Sequence, residues 1–292
     1  MLGDALGVPH EFKPGHAVPA FLDIVMRMPA DYRKTYESVP YGTWSDDASQ
    51  LIALLDALVQ EQGRYCEDAV KANLLAWYRN GKYQAGGLVF DCGAQTKKSL
   101  ECLEADASIN PLSATHCGNG SLMRVLPAAA MPSRFGVSRP DAVRTASAQS
   151  ALTHPQVAAR MCCALYVELC WLIEGGRRDF RVAVGDAAAV LAGRNNWNDA
   201  ERAMLEQVLR YGKTNFPTNS GNVLNTFWSA IWAVERATSL SGALRNAVGQ
   251  GNDTDTVACI AGGLAGLAFG LDGLCLEWRE MLIIPCELQM AP

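Results

Sequence analysis

The chain has 292 residues, 49% of them apolar and 19% charged, which is ample material for a core and not the composition of a disordered segment. The formal net charge is −5, and no basic cluster exceeds Lys97-Lys98 or Arg177-Arg178. That balance argues against nucleic acid or an anionic membrane as the partner, since both need basic stripes.

The chain opens with Met1-Leu2 running directly into Gly3-Asp4. There is no basic n-region and no apolar h-region, so a cytoplasmic chain is expected. Apolar residues then recur at helical steps, first at Leu51, Leu54, Leu55, Leu58 and Val59, then at Leu74, Leu75 and Tyr78. An apparent helix runs from Ser121 to Ala130. Val157 to Ile173 is a long apolar segment closed by Gly175-Gly176. Asp199 to Tyr211 is amphipathic and closed by Gly212, and Val223 to Val234 is Trp-rich and helix-like. Val257 to Leu271 is uncharged, Gly-rich and too short to span a bilayer, so it reads as a fully buried helix.

Between these segments, Gly, Pro and Asn mark loops at Pro29 to Trp44, Asn80 to Gly87, Asn110 to Gly120, Met131 to Pro140, Phe216 to Gly221 and Gly249 to Asn252. Alternating strand patterns are nearly absent, and no repeat of fixed period is visible. The expectation is one all-α domain over residues 1–292, acting as a monomer. The ten cysteines form no Cys-x-x-Cys pair. Cys162, Cys163, Cys170 and Cys259 lie in apolar helical context and read as reduced core residues. Four histidines (His10, His16, His116, His154) without a His-Glu-x-x-His spacing argue against zinc. Trp171, Trp197, Trp228, Trp232 and Trp278 read as core anchors.

Two short segments concentrate carboxylates ahead of apolar helices: Trp44-Ser45-Asp46-Asp47-Ala48-Ser49 and Gly251-Asn252-Asp253-Thr254-Asp255-Thr256. Taken singly, each reads as a helix cap, because Ser, Thr and Asp are preferred there and acidic first turns complement the helix dipole. Together they hold more acceptors than caps need. If they met, four carboxylates would converge, and like charges that close do not all ionise without a cation. Hard oxygen ligands with no nearby His or Cys point to Mg²⁺, Mn²⁺ or Ca²⁺, and four carboxylates plus hydroxyls suit two ions. The glycine loop Gly118-Asn119-Gly120, placed before a helix, offers backbone N–H groups to a phosphate. Arg124 reads as a buried cation paired with a carboxylate.

These residues resemble the ADP-ribosylglycohydrolase family. The resemblance rests on Gly3-Asp4-Ala5-Leu6-Gly7 followed by Glu11, on Ser45-Asp46-Asp47, on Gly118 through Arg124, on Leu152-Thr153-His154 and on Asp253-Thr254-Asp255-Thr256, in the family's order. It implies a compact all-α domain and two Mg²⁺ (or Mn²⁺) ions held by Ser45, Asp46, Asp47, Asp253, Asp255 and Thr256. Proton transfer falls to Glu11, Asp47 or Asp91. The loop Asp91-Cys92-Gly93-Ala94-Gln95-Thr96, the segment Cys117-Gly118-Asn119-Gly120, and His154 would bind ADP-ribose, with Gly93, Gln95 and Thr96 the contacting residues of the first loop. The chain departs from the family pattern at Ala48, where a threonine is common, at Ser45 for the leading threonine, and at Asn252 for a glycine; the family's first helix also normally starts upstream of the position at which this chain begins. The implied substrate is ADP-ribose on an acceptor, most directly a modified protein side chain. The alternatives are a free ADP-ribosyl or nucleotide-linked small molecule, or a non-catalytic ADP-ribose-binding role.

Overall fold

The computed structural model describes residues 1–113, 117–194, 197–215, 218–271 and 273–284. Parts of the loops expected at 110–120 and 216–221 therefore lie outside the described residues. The α-helices are α1 (Leu2–Gly7), α2 (Asp46–Gln60), α3 (Glu67–Asn80), α4 (Ala94–Glu104), α5 (Leu126–Phe135), α6 (Arg139–Ala151), α7 (Val157–Glu174), α8 (Phe180–Ala192), α9 (Asp199–Thr214), α10 (Val223–Glu235), α11 (Leu240–Val248), α12 (Thr254–Phe269) and α13 (Leu276–Glu280). Among the described residues the only β pairing is two isolated bridges, Pro14 with Gly251 and Gly118 with Asn222. The all-α expectation is met.

Two helices organise the rest. α7 packs against α5, α6, α8, α9, α10 and α12, and α12 against α1, α2, α7, α10 and α11. Both are apolar on nearly every face, as a helix surrounded by protein must be. On α12, Val257, Ile260 and Leu264 are buried, each stabilising the fold by about 1.5–3 kcal/mol. The two helices cross closely because Gly263 has no side chain; a Cβ there would lie 2.4 Å from the Tyr166 hydroxyl, which donates to the Ile260 carbonyl at 2.9 Å. α7 ends at Gly175, with Gly176 in left-handed backbone at φ 97°, as its Gly-Gly stop signal indicates.

Three expectations need correction. α9 continues past Gly212 to Thr214. Gly212 is a packing residue, since a Cβ there would stand 2.1 Å from the Trp228 ring. On α2, Leu54 and Leu58 are buried, but Leu55 and Val59 face solvent. The buried stripe is completed by Ala48, Ile52, Ala53 and Ala57, because α2 seats its small residues against its neighbours. Finally, residues 121–124 form turns, not the start of a helix; Leu122 N–H donates to the Asn119 carbonyl and α5 begins only at Leu126, with a proline in its first turn.

The nine described cysteines are free, and Cys162, Cys163, Cys170 and Cys259 are buried. Trp171, Trp197, Trp228 and Trp278 are buried, while Trp232 is only partly so. Among the described residues no helix is long and apolar enough to cross a membrane. The connection between α1 and α2 is a long excursion carrying three short 3₁₀ turns, and it folds over the N-terminus of α12. Phe12 N–H donates to the Asn252 carbonyl at 2.7 Å, and Asn252 N–H to the Lys13 carbonyl at 2.6 Å. Those two bonds bring Glu11 beside the second acidic segment.

Candidate metal centre

The two acidic helix ends meet. Thr256 Oγ1 donates to Asp47 Oδ2 at 3.3 Å across 209 residues of sequence. The meeting is arranged by α1, whose Gly3 and Gly7 allow it to lie flat on α12. A Cβ on Gly3 would be 2.0 Å from the Ala258 carbonyl oxygen, and one on Gly7 would be 2.4 Å from Asp255 Cα. From this helix the buried Asp4 reaches the start of α2, accepting hydrogen bonds from Ser45 N–H and Ala48 N–H, both at 2.8 Å. Ser45 adds the local cap, its hydroxyl accepting from Asp47 N–H at 3.4 Å and donating to Asp47 Oδ2 at 2.9 Å. Three backbone donors at the start of α2 are thus satisfied without the side chain of Asp46 or Asp47.

The carboxylates gathered here have the character of cation ligands. Oxygens of Asp4, Asp47 and Asp255 lie within 4.8 Å of one another, as do oxygens of Glu11, Asp253 and Asp255. Asp255 belongs to both groups, an arrangement suited to two adjacent ions. Asp47 Oδ1, Asp255 Oδ2 and Glu11 Oε2 are buried with no hydrogen-bond partner. Burial first, and neighbouring carboxylates second, push Asp46, Asp47 and Asp255 well above the usual carboxylate range. Glu11 is pushed up to about 9 by burial and by Asp91. Burial also raises Asp4, Asp91 and Asp253. Orphaned oxygens in a cluster that resists ionisation are what a divalent cation with hard oxygen ligands would relieve. The donor set contains no His or Cys and so fits Mg²⁺ or Mn²⁺.

Above the cluster opens a cleft of about 860 Å³. Its walls include Glu11, Asp46, Asp91, Asp253 and Thr256, so most of the expected catalytic and metal residues border it. Asp47, Asp255 and Ser45 lie buried beneath. Gly93, Gln95, Thr96, Gly118, Asn119, Gly120 and His154 also line it, but several are engaged with protein. Gly93 N–H bonds to Asp46. Gln95 is tied to Thr153, Ser99 and Leu112. Asn119 Nδ2 donates to Asp253 Oδ2 at 2.6 Å and to Thr226 Oγ1 at 2.9 Å, holding the metal-side carboxylate. Cys117 is buried behind the wall, its thiol against Gln156. Thr96 Oγ1 is buried without a partner. Among the described residues the lining holds no Lys or Arg.

Arg124 corrects one expectation. It is fully buried, yet no carboxylate contacts it; its donors go to Gln149, Gln50, Thr153 and the Gly120 carbonyl. The cation can stay in the core because amide and hydroxyl oxygens replace its hydration.

The motif Gly3-Asp4-Ala5-Leu6-Gly7 gives Asp4 no role by itself, and no motif singles out Tyr36. The Gly3 to Gly7 spacing, a four-residue step of small residues, was the signal that α1 lies against another helix and that Asp4 faces inward. Tyr36 bonds to both Glu11 and Asp91 and makes edge contacts with Phe12 and Phe90. Phe12 sits at the cleft mouth, 68% exposed, in left-handed backbone at φ 62°. A lone tyrosine in a Pro- and Gly-rich loop carries no periodic signal that would have marked it.

The sequence profile of the ADP-ribosylglycohydrolase family matches residues 1–289. An ADP-ribosylarginine hydrolase Tri1 of Pseudomonas putida is 30% identical over 249 residues, 82% of this chain and 62% of that protein. A protein of the same name from Serratia proteamaculans is 27% identical over 290 residues, 97% of this chain and 72% of its own length. This chain therefore spans about three fifths of the first relative and about seven tenths of the second. A solved structure titled ADP-ribosylglycohydrolase-related protein complex superposes with a TM-score of 0.72 at 26% identity, covering 96% of this chain and 88% of that one. With the helical fold, the paired acidic helix ends and the whole-chain profile match in agreement, the chain belongs to the ADP-ribosylglycohydrolase family.

Proposed function

We propose that the chain is a hydrolase that cleaves the glycosidic bond between ADP-ribose and an acceptor at a binuclear Mg²⁺ or Mn²⁺ centre. The reading takes it as a cytoplasmic monomer and an ADP-ribosylated arginine side chain as its substrate. The observation that carries the reading is the pair of carboxylate groups sharing Asp255, with three buried oxygens lacking partners. The relatives named ADP-ribosylarginine hydrolase support the linkage. An acid-lined cleft without Lys or Arg among the described residues also suits a cationic guanidinium acceptor better than a neutral one.

Asp46, Asp47, Asp253 and Asp255, with the hydroxyls of Ser45 and Thr256, would hold the ions. When bound, the ions would supply Lewis-acid stabilisation of the charge that develops as the anomeric bond breaks, and would orient a water. Asp91 is held by Tyr36 at the cleft wall beside Glu11, so it is the side chain best placed to move a proton. Glu11, its neighbour, holds its own proton to about pH 9 in the metal-free chain. The diphosphate would be met by neutral donors: backbone N–H groups of 118–120, Thr96 and His154.

The test is release of ADP-ribose from arginine-ADP-ribosylated and serine-ADP-ribosylated proteins, with Mg²⁺ and with a chelator. Release from the arginine substrate, lost on chelation, is the expected result. No release from either, with ADP-ribose still bound in a titration, would replace this reading with a binding-only one.

A further inference from the structure

The Arg124 guanidinium has five N–H donors, and each has an acceptor in the protein. Nε donates to Gln149 Oε1 at 2.8 Å; Nη1 to Gln50 Oε1 at 2.7 Å and to the Gly120 carbonyl at 3.5 Å; Nη2 to the Gln149 carbonyl at 2.9 Å and to Thr153 Oγ1 at 2.8 Å. A guanidinium has no acceptor to offer in return. Every neighbour must therefore turn an oxygen inward, and the side chains of Gln50, Gln149 and Thr153 are left to donate elsewhere.

Two of those neighbours lead to the cleft. Gln50 presents Oε1 to Arg124, so its amide nitrogen faces Asp46 and donates to Oδ2 at 3.1 Å. Thr153 accepts from Arg124, and its hydroxyl lies 2.9 Å from His154 Nδ1, an acceptor to which its single hydrogen can be donated. An imidazole whose Nδ1 accepts carries its proton on Nε2. That nitrogen faces the glycine loop: a Cβ on Gly118 would lie 3.4 Å from it, and one on Gly120 would lie 3.3 Å from it.

We propose that Arg124 is a positioning residue that fixes the donor polarity of the cleft at both ends, orienting Gln50 toward Asp46 and, through Thr153, locking His154 as an Nε2–H donor. His154 then serves an acceptor oxygen of the ligand as a neutral donor. Burial and Arg124 hold its imidazole down at about 3, so it stays uncharged at neutral pH. The ligand this donor serves rests on the function proposed above, but the tautomer does not.

The experiment reads the ring nitrogens of His154 by long-range ¹H–¹⁵N correlation in the metal-free full chain, with His154→Gln identifying its signals. The proton is expected on Nε2 alone at neutral pH. Thr153→Val removes the relay hydroxyl and should convert the ring to a mixture or to the Nδ1–H form, while Thr153→Ser restores the wild-type pattern. Affinity for ADP-ribose should fall about tenfold in Thr153→Val and recover in Thr153→Ser, on the order of one hydrogen bond. A wild-type proton on Nδ1, or Val and Ser variants with the same ring pattern, would overturn the inference. Thr153 variants are used because Arg124 is wholly buried and its replacement could unfold the chain. Hydrolysis is not needed for the readout. A chain with no turnover but an Nε2–H His154 would end the proposed function and leave this inference standing.

Discussion

The N-termini of α2 and α12 have nearly the same composition, an acidic pair with a hydroxyl, yet they are built differently. At α2 the backbone donors are satisfied from outside the acidic pair, by Ser45 and by Asp4 reaching over from α1. At α12 the N-cap residue Asp253 makes no side-chain cap bond, and its Oδ2 is taken by Asn119. Of the four aspartates only Asp255 serves its helix start, Oδ1 accepting from Thr256 N–H at 2.9 Å, and its Oδ2 is left buried without a partner. The lesson is that acidic residues at a helix start are read as caps only until the backbone donors are counted. Once those donors have other partners, the remaining carboxylates need another explanation, and a shared cation provides it.

The comparison breaks most sharply at Asp255, which belongs to both carboxylate groups. Asp255→Asn should reduce metal-dependent turnover by at least about a thousandfold, several kcal/mol of lost stabilisation. The metal-free variant should melt no lower than the wild type, because a buried carboxylate that resists ionisation is replaced by a neutral amide; thermal scans with and without Mg²⁺ check both halves. Asparagine keeps the Oδ1 that accepts from Thr256 N–H, so a metal-free variant that loses stability would mean that the fold itself needs the Asp255 carboxylate.

Asp4→Ala attacks the other side of the comparison. It leaves two buried N–H groups at the start of α2 without partners, and should cost about 2–4 kcal/mol of stability in denaturant unfolding. A smaller effect is expected at Asn119, whose side-chain amide donates to Asp253 and Thr226. Asn119→Ala should weaken Mg²⁺ or Mn²⁺ binding by about ten- to hundredfold, as loss of a group holding a ligand does, with little change in melting temperature.

The smallest effect is a pH dependence. In the metal-free native chain Glu11 holds its proton to about 9, whereas in the unfolded chain it releases it in the ordinary carboxylate range. Between those limits the native state binds more protons than the unfolded state, so stability falls as pH rises through the window. Added Mg²⁺ should oppose that fall, and its shift in melting temperature should be larger near about pH 8 than near about pH 6. An equal shift at both would argue against carboxylates that resist ionisation.

Much of this was legible in the sequence because it is periodic. The uninterrupted apolar run after Asp255 declared α12 buried, and a buried helix carries its first turn into the interior. Ser45, Asp46, Asp47, Asp253, Asp255 and Thr256 stand out in the sequence because composition concentrates acidic and hydroxyl residues in two short segments. What was not legible depended on packing between distant segments. Gly212 looks like a stop signal until Trp228 is seen to need its space. Arg124 looks like half of an ion pair until five neutral acceptors are seen around it. Tyr36 carries no pattern at all, and its role arises only because the excursion between α1 and α2 folds back over α12.

The central claim is that the buried carboxylates form a two-ion site. Calorimetric titration of Mn²⁺ into the metal-free chain tests it most directly, with Asp255→Asn beside it. The account predicts two ions bound per chain in the wild type and loss of binding in the variant. No binding to the wild type, or unchanged binding to Asp255→Asn, would contradict it.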